Sequence, residues 1–209
     1  MELAEAKFLN AFNAIPGVGA ATLRALKKHF GSYQAAWRAG ESAYSLARLD
    51  TTAHAALVAG KNSIDPDQEI QKLARGNIWM INEEETGYPA ILKEITVPPV
   101  VLYGRGSPDV LMRQAHIAVV GTRRPTSYGL EAAEAIIPRL TDAGISIVSG
   151  LATGIDAKAH EIALQEKAAT IAVLGSGVDP VSIFPPENRG LAERISSSGG
   201  AVISEYSPD

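Results

Sequence analysis

IAVVGTRRPTSYG, residues 117–129, holds the decisive pattern: an unbroken apolar run that stops at a glycine and turns into a polar loop. Similar runs follow at Ile145–Val148, Thr170–Leu174 and Ala201–Ile203, beginning 28, 25 and 31 residues apart, and each gap holds a helical segment. That is the period of βαβ units, whose strands are buried on both faces and so read as continuous apolar stretches. A parallel α/β domain is therefore expected from about residue 78 to 209. Asp209 follows the fourth strand of the series with no further helix to cover it, so the domain is expected to be incomplete at its C-terminal end.

Upstream the grammar differs. Ile78–Ile81 and Val100–Tyr103 read as short strands separated by the turns Tyr88-Pro89 and Val97-Pro98-Pro99. Residues 1–75 read as helices. Ala4, Phe8, Ala11, Phe12 and Ile15 share one helical face, and Leu23, Leu26 and Phe30 repeat it after the break at Pro16-Gly17-Val18-Gly19. Ser32 can cap a third helix ending at Gly40, and a further helix is expected over Ser42–Ala59. Asp65-Pro66-Asp67-Gln68 combines an N-cap, a first-turn proline and a capping-box glutamine, and Gly76 ends the helix it starts. The Pro-Gly turn between two helices, with Lys27 and Lys28 on the second, has the form of a helix-hairpin-helix, which offers backbone N–H groups to nucleic-acid phosphates. It also serves simply to join packed helices.

Composition narrows the function. The chain has 209 residues, 46% hydrophobic and 20% charged, a globular balance that excludes whole-chain disorder. No stretch approaches the roughly 20 apolar residues of a membrane span, and the N-terminus lacks a secretory pattern, so a cytoplasmic location is expected. There is no cysteine, which removes thiolate nucleophiles and Cys-ligated metals. His29, His54, His116 and His160 lie far apart, in no HExxH or HxH spacing. The net charge of −4 is unlike a generally basic protein, yet residues 1–40 carry five basic against two acidic side chains.

Three consecutive strands end in glycine-bearing loops, at 121–129, 149–156 and 175–179. Loops at the carboxyl ends of parallel strands line the edge where open α/β folds bind ligands. Glycine amides and helix N-termini there can cradle an anion, although each glycine also suits a tight βα turn. No dinucleotide fingerprint is present: the place of the third glycine after Gly175 and Gly177 is taken by Pro180, and no P-loop occurs. Arg123 and Arg124 instead bring guanidinium forks suited to phosphate. Asp156 is expected to cap the next helix. His160, one turn on, could pair with it, but no nucleophile accompanies the two.

In order, spacing and wording, YPAILKEITVPPVVLYGRG (88–106), IAVVGTRRPTSYG, SGLATGIDAKAHEIAL (149–164), TIAVLGSGVDPVSIFPPENRGLAERI (170–195) and GGAVISEYSP (199–208) resemble the DprA/Smf family of DNA-processing proteins. The resemblance spans nearly the whole chain. It implies an α/β fold, with an extended Rossmann-like parallel sheet domain preceded by a small all-helical domain of helix-hairpin-helix or SAM-like type. It also implies a protein without catalytic activity or cofactor that binds single-stranded DNA, loads the RecA recombinase onto it in natural transformation, and forms a homodimer at full length. The family's pocket falls on Gly121, Thr122, Arg123, Ser149, Gly150 and Gly154. Arg124, Lys158, Phe184, Asn188 and Arg189 are further candidate DNA contacts. Two departures stand out. Asp179 and Phe184-Pro185 lie two residues further apart than the family's Asp-x-x-Tyr-Pro, and Pro186 stands where relatives often place a lysine. Phe184 can stack on a base or serve as a buried aromatic. The family's later Arg-Asn-Arg segment is expected beyond Asp209. The alternative reading is a nucleotide phosphoribohydrolase of the lysine-decarboxylase-like group, whose Pro-Gly-Gly-x-Gly-Thr signature is not in this sequence.

Overall fold

The computed structural model describes residues 2–113 and 115–209. Helices α1 (Leu3–Asn13), α2 (Ala20–Phe30) and α3 (Tyr33–Arg38) come first, and Gly17 makes the turn between α1 and α2 at a φ of +88° that favours glycine. Ser32 caps α3 through Ala35 N at 3.0 Å. Glu5 reaches across from α1 and accepts from the N–H groups of Tyr33 and Gln34 at 3.0 and 3.1 Å. Burial alone would raise the Glu5 carboxyl, but these N–H groups and the Lys27 ammonium hold it below the usual range.

The helix expected over Ser42–Ala59 is two pieces. These are α4 (Glu41–Tyr44), continued by a 3-10 turn at Ser45–Ala47, and α5 (Thr51–Lys61). Arg48 adopts a left-handed φ of 53° that ends the first, and Asp50 starts the second by accepting from Ala53 N at 2.8 Å. The apolar spacing runs through this break, so the cap decides it. Helix α6 (Pro66–Arg75) begins as expected, with Asp65 accepting from Asp67 N at 2.9 Å and Gln68 N at 3.4 Å.

Strands β1 (Trp79–Asn82), β2 (Val101–Gly106), β3 (His116–Ala118), β4 (Ser146–Ser149), β5 (Thr170–Leu174) and β6 (Ala201–Ser204) form one sheet in the order β1-β2-β6-β5-β4-β3. The expected parallel series is there, from β3 to β6, with β3 shorter than the apolar run Ile117–Val120. The sheet as a whole is mixed, because β1 and β2 add to it antiparallel. Each parallel step from β3 to β6 needs a helical crossover. The crossovers are α7 (Ser127–Asp142), α8 (Ile155–Gln165) and α9 (Arg189–Ser197). They cover one face, where Ile147, Ala172, Leu174 and Val202 are buried, while Val110 and Leu111 pack on Ile171, Ala201 and Ile203 opposite.

Leu9, Phe12, Leu23 and Tyr44 of the helices share one apolar cluster with Tyr103, Val202 and Ile195. The core thus crosses the change of grammar near residue 76. Burying an aliphatic or aromatic side chain of this size stabilises by about 1.5–3 kcal/mol. The buried Tyr103 hydroxyl donates to Asn10 Oδ1 at 2.9 Å and accepts from Asn13 Nδ2 at 3.2 Å, which fixes the register of α1 on the sheet. Among the described residues, no helix is long and apolar enough to cross a membrane.

Candidate nucleic-acid interface

The loops after β3, β4 and β5 meet at the carboxyl edge of the sheet, and the first two are locked together. Gly154 has a φ of +86°, and a Cβ there would collide with the Thr122 carbonyl and the Arg123 backbone. Ile155 N donates to that same carbonyl at 3.2 Å. A Cβ at Gly121 would in turn press on Ile155 at 2.7–2.9 Å. Glycine at these two positions is therefore what lets one loop lie on the other.

Asp156 completes the lock. Its carboxylate, 7% exposed, accepts from Gly121 N at 3.2 Å and Gly150 N at 3.1 Å. The expected helix cap is thus not made: α8 starts at Ile155 with Gly154 as its N-cap, and Asp156 sits in its first turn, where the helix dipole favours a negative charge. The same geometry corrects the phosphate cradle expected from glycine amides, since those of Gly121 and Gly150 already serve Asp156. At the helix N-termini, too, part of the expected donor set is taken: Ile155 N serves Thr122 O, and Gly129 N of α7 donates to the Thr126 hydroxyl at 3.3 Å.

His160 does not form a dyad with Asp156. It is fully buried, with Nδ1 2.8 Å from Thr170 Oγ1, and that hydroxyl donates to Ile147 O, so Nδ1 carries the proton. Nε2 has no hydrogen-bond partner among the described residues. Burial pushes the imidazole down to about 4, against the opposing pull of the Asp156 charge and the Ser149 backbone. Because the folded state resists protonation, stability should be full above the unfolded value of about 6.5 and fall as pH drops toward 4. The loss is about 2 kcal/mol between pH 6.5 and 5. In urea titrations His160→Gln should flatten that slope, and an unchanged slope would assign the pH dependence elsewhere.

Beside the lock lies an open cavity of about 400 Å³. Arg123 lines it from the first loop, Gly150, Ala152 and Thr153 from the second, and Gly175, Ser176, Phe184, Pro185 and Glu187 from the third. Phe184 is 68% exposed, which removes its reading as a buried aromatic and leaves a ring face available for stacking. With the Gly121 and Gly150 amides engaged, the Arg123 guanidinium is the cationic side chain that lines the cavity. Glu187 adds a carboxylate to the same cavity lining as Arg123, a placement that the folding of the loops decides.

The other candidates serve different ends. Thr122 accepts from Arg124 N at 3.2 Å through its hydroxyl, and Arg124 itself is exposed but does not line the cavity. Ser149 is buried and donates to Val119 O at 2.6 Å. Lys158 is paired with Glu134 at 2.6 Å, away from the cavity. Asn188 donates to Leu151 O at 2.8 Å and Arg189 to Val181 O at 2.8 Å, so both brace loops. In the hairpin region, Lys27 is held by Glu5 at 3.0 Å, while Lys28 is exposed. Among the described residues, no group of three or more His, Asp or Glu is placed to hold a metal ion.

The profile of the family described as DNA recombination-mediator protein A matches residues 79–209. The protein Smf of Synechocystis is 36% identical over 99% of this chain and 52% of its own length. DNA processing protein DprA of Streptococcus pneumoniae is 41% identical over 58% of this chain and 41% of its own. The X-ray structure of DprA from Streptococcus pneumoniae superposes with a TM-score of 0.73 at 28% identity, covering 98% of this chain and 68% of that one. A structure of DNA processing protein A from Helicobacter pylori, described for its single-stranded DNA binding mode, gives 0.55 at 30% identity, over 63% of this chain and 57% of that one. The chain spans about half, or less, of the length of these curated relatives.

Proposed function

The chain belongs to the family of DNA recombination-mediator protein A, and from that membership we propose that it holds single-stranded DNA at the carboxyl edge of its sheet. The observation that carries the reading is the cavity lined both by an arginine from the first of the locked loops, Arg123, and by an exposed aromatic ring from the loop after β5, Phe184. A guanidinium for phosphate and a ring face for a base are the two elements of sequence-tolerant strand binding. The similarity to the Helicobacter pylori protein, whose structure is described for single-stranded DNA binding, supports the same ligand. The fuller role implied by the family follows: a cytoplasmic mediator, homodimeric at full length, that delivers incoming strands to the RecA recombinase in natural transformation. It works by binding, without a reaction or a cofactor of its own.

Titration of a labelled oligonucleotide should give binding with little sequence preference, tighter for single strands than for duplex. Affinity should fall with salt by about 0.7 log units per log unit of salt for each phosphate neutralised. Affinity that ignores salt would overturn the reading, and release of free base from nucleoside monophosphates at enzyme-like rates would favour the phosphoribohydrolase instead.

A further inference from the structure

A second cleft of about 550 Å³ lies between the α1–α2 hairpin and the sheet, and Gly175 and Ser176 line it as well as the Arg123–Phe184 cavity. The two spaces therefore both border the loop after β5. A Cβ built on Gly175 would meet nothing within 4 Å, so the space over this glycine is open. Each space presents one exposed aromatic ring, Phe184 at 68% in the first and Tyr206 at 52% in the second. The far wall of the second is the hairpin itself, from Pro16 to Ala20.

Resting on the strand-binding reading, we infer that the bound strand runs on from the first cavity, over Gly175–Ser176, into this cleft, where a base stacks on Tyr206 beneath the helical segment. The charges set the orientation. Glu205 and Asp209 line the cleft, and among the described residues no lysine or arginine lines it, so phosphates are repelled from it. Bases turn inward, and the backbone stays in solvent. The cleft thus extends the site by stacking and not by charge, and the hairpin serves as a wall and not as a phosphate grip.

The test compares oligothymidylates of about 4 and about 12 nucleotides, within the range that single-strand sites cover. The parent protein should bind the longer strand at least tenfold more tightly. Tyr206→Ala should lose about fivefold or more on the longer strand and nothing on the shorter, while Tyr206→Phe keeps the parent's affinity for both. Gly175→Leu, which raises a wall where there is free space, should shrink the gap between the two lengths. The inference is overturned if Tyr206→Ala binds the longer strand like the parent, or weakens both lengths alike. If the parent binds neither strand, the strand-binding reading itself falls; if it binds both and no variant separates them, only the extended track falls.

Discussion

Asp156→Asn is expected to lower the melting temperature by about 6–12 °C and to remove most of the strand affinity, despite being nearly isosteric. The carboxylate accepts from two N–H groups belonging to two different loops, Gly121 and Gly150. An amide has one acceptor oxygen, so its NH₂ must face one of those donors. Leaving a buried donor unpaired costs about 1–3 kcal/mol, and losing a charge-assisted bond adds to it, so about 3 kcal/mol is a fair total. In a chain of this size each kcal/mol moves the melting temperature by about 2–4 °C. Binding falls as well, because Arg123 and Gly150 are positioned by the lock that Asp156 closes. Thermal melts followed by circular dichroism, with strand titrations at a temperature where the variant stays folded, check both parts. A variant that melts within a degree or two of the parent would show that the lock is not held by this carboxylate.

Arg123→Ala should weaken strand binding by roughly tenfold or more, the equivalent of the 1.5–3 kcal/mol of a charge-assisted contact, with the melting temperature nearly unchanged. The two effects separate because the Arg123 side chain is exposed and lines the cavity, while its backbone alone makes the contact with Gly154. Arg123→Lys should recover only part of the loss, since a point charge replaces a planar fork. Arg124→Ala should matter less, because Arg124 does not line the cavity. Equal affinities for the parent and Arg123→Ala, or a larger loss at Arg124, would move the phosphate contact elsewhere.

Much of this was legible in the sequence, because strands buried on both faces must be continuously apolar and helices between them must keep a 3.6-residue period. The runs from Ile117 to Ile203 therefore announced four parallel strands, and Gly121, Gly150 and Gly175 announced where the chain turns at their ends. Arg123 and Phe184 were also visible, as a guanidinium and an aromatic ring in loops at the same edge.

Asp156 was visible only as an acid near a helix start, for which capping is the local expectation. Its partners lie 35 residues before it, at Gly121, and six before it, at Gly150. Likewise Lys158 looked like a free cation until α7 brought Glu134 to it, and Glu187 comes to line the Arg123 cavity only through the fold. What the residues settled alone is the order and kind of the elements, since propensity, periodicity and caps act within a few positions of the chain. Only the tertiary structure decided which polar groups are already satisfied and which still face solvent. Each donor takes the best acceptor that packing brings within about 3 Å, and that competition is between loops the sequence holds far apart.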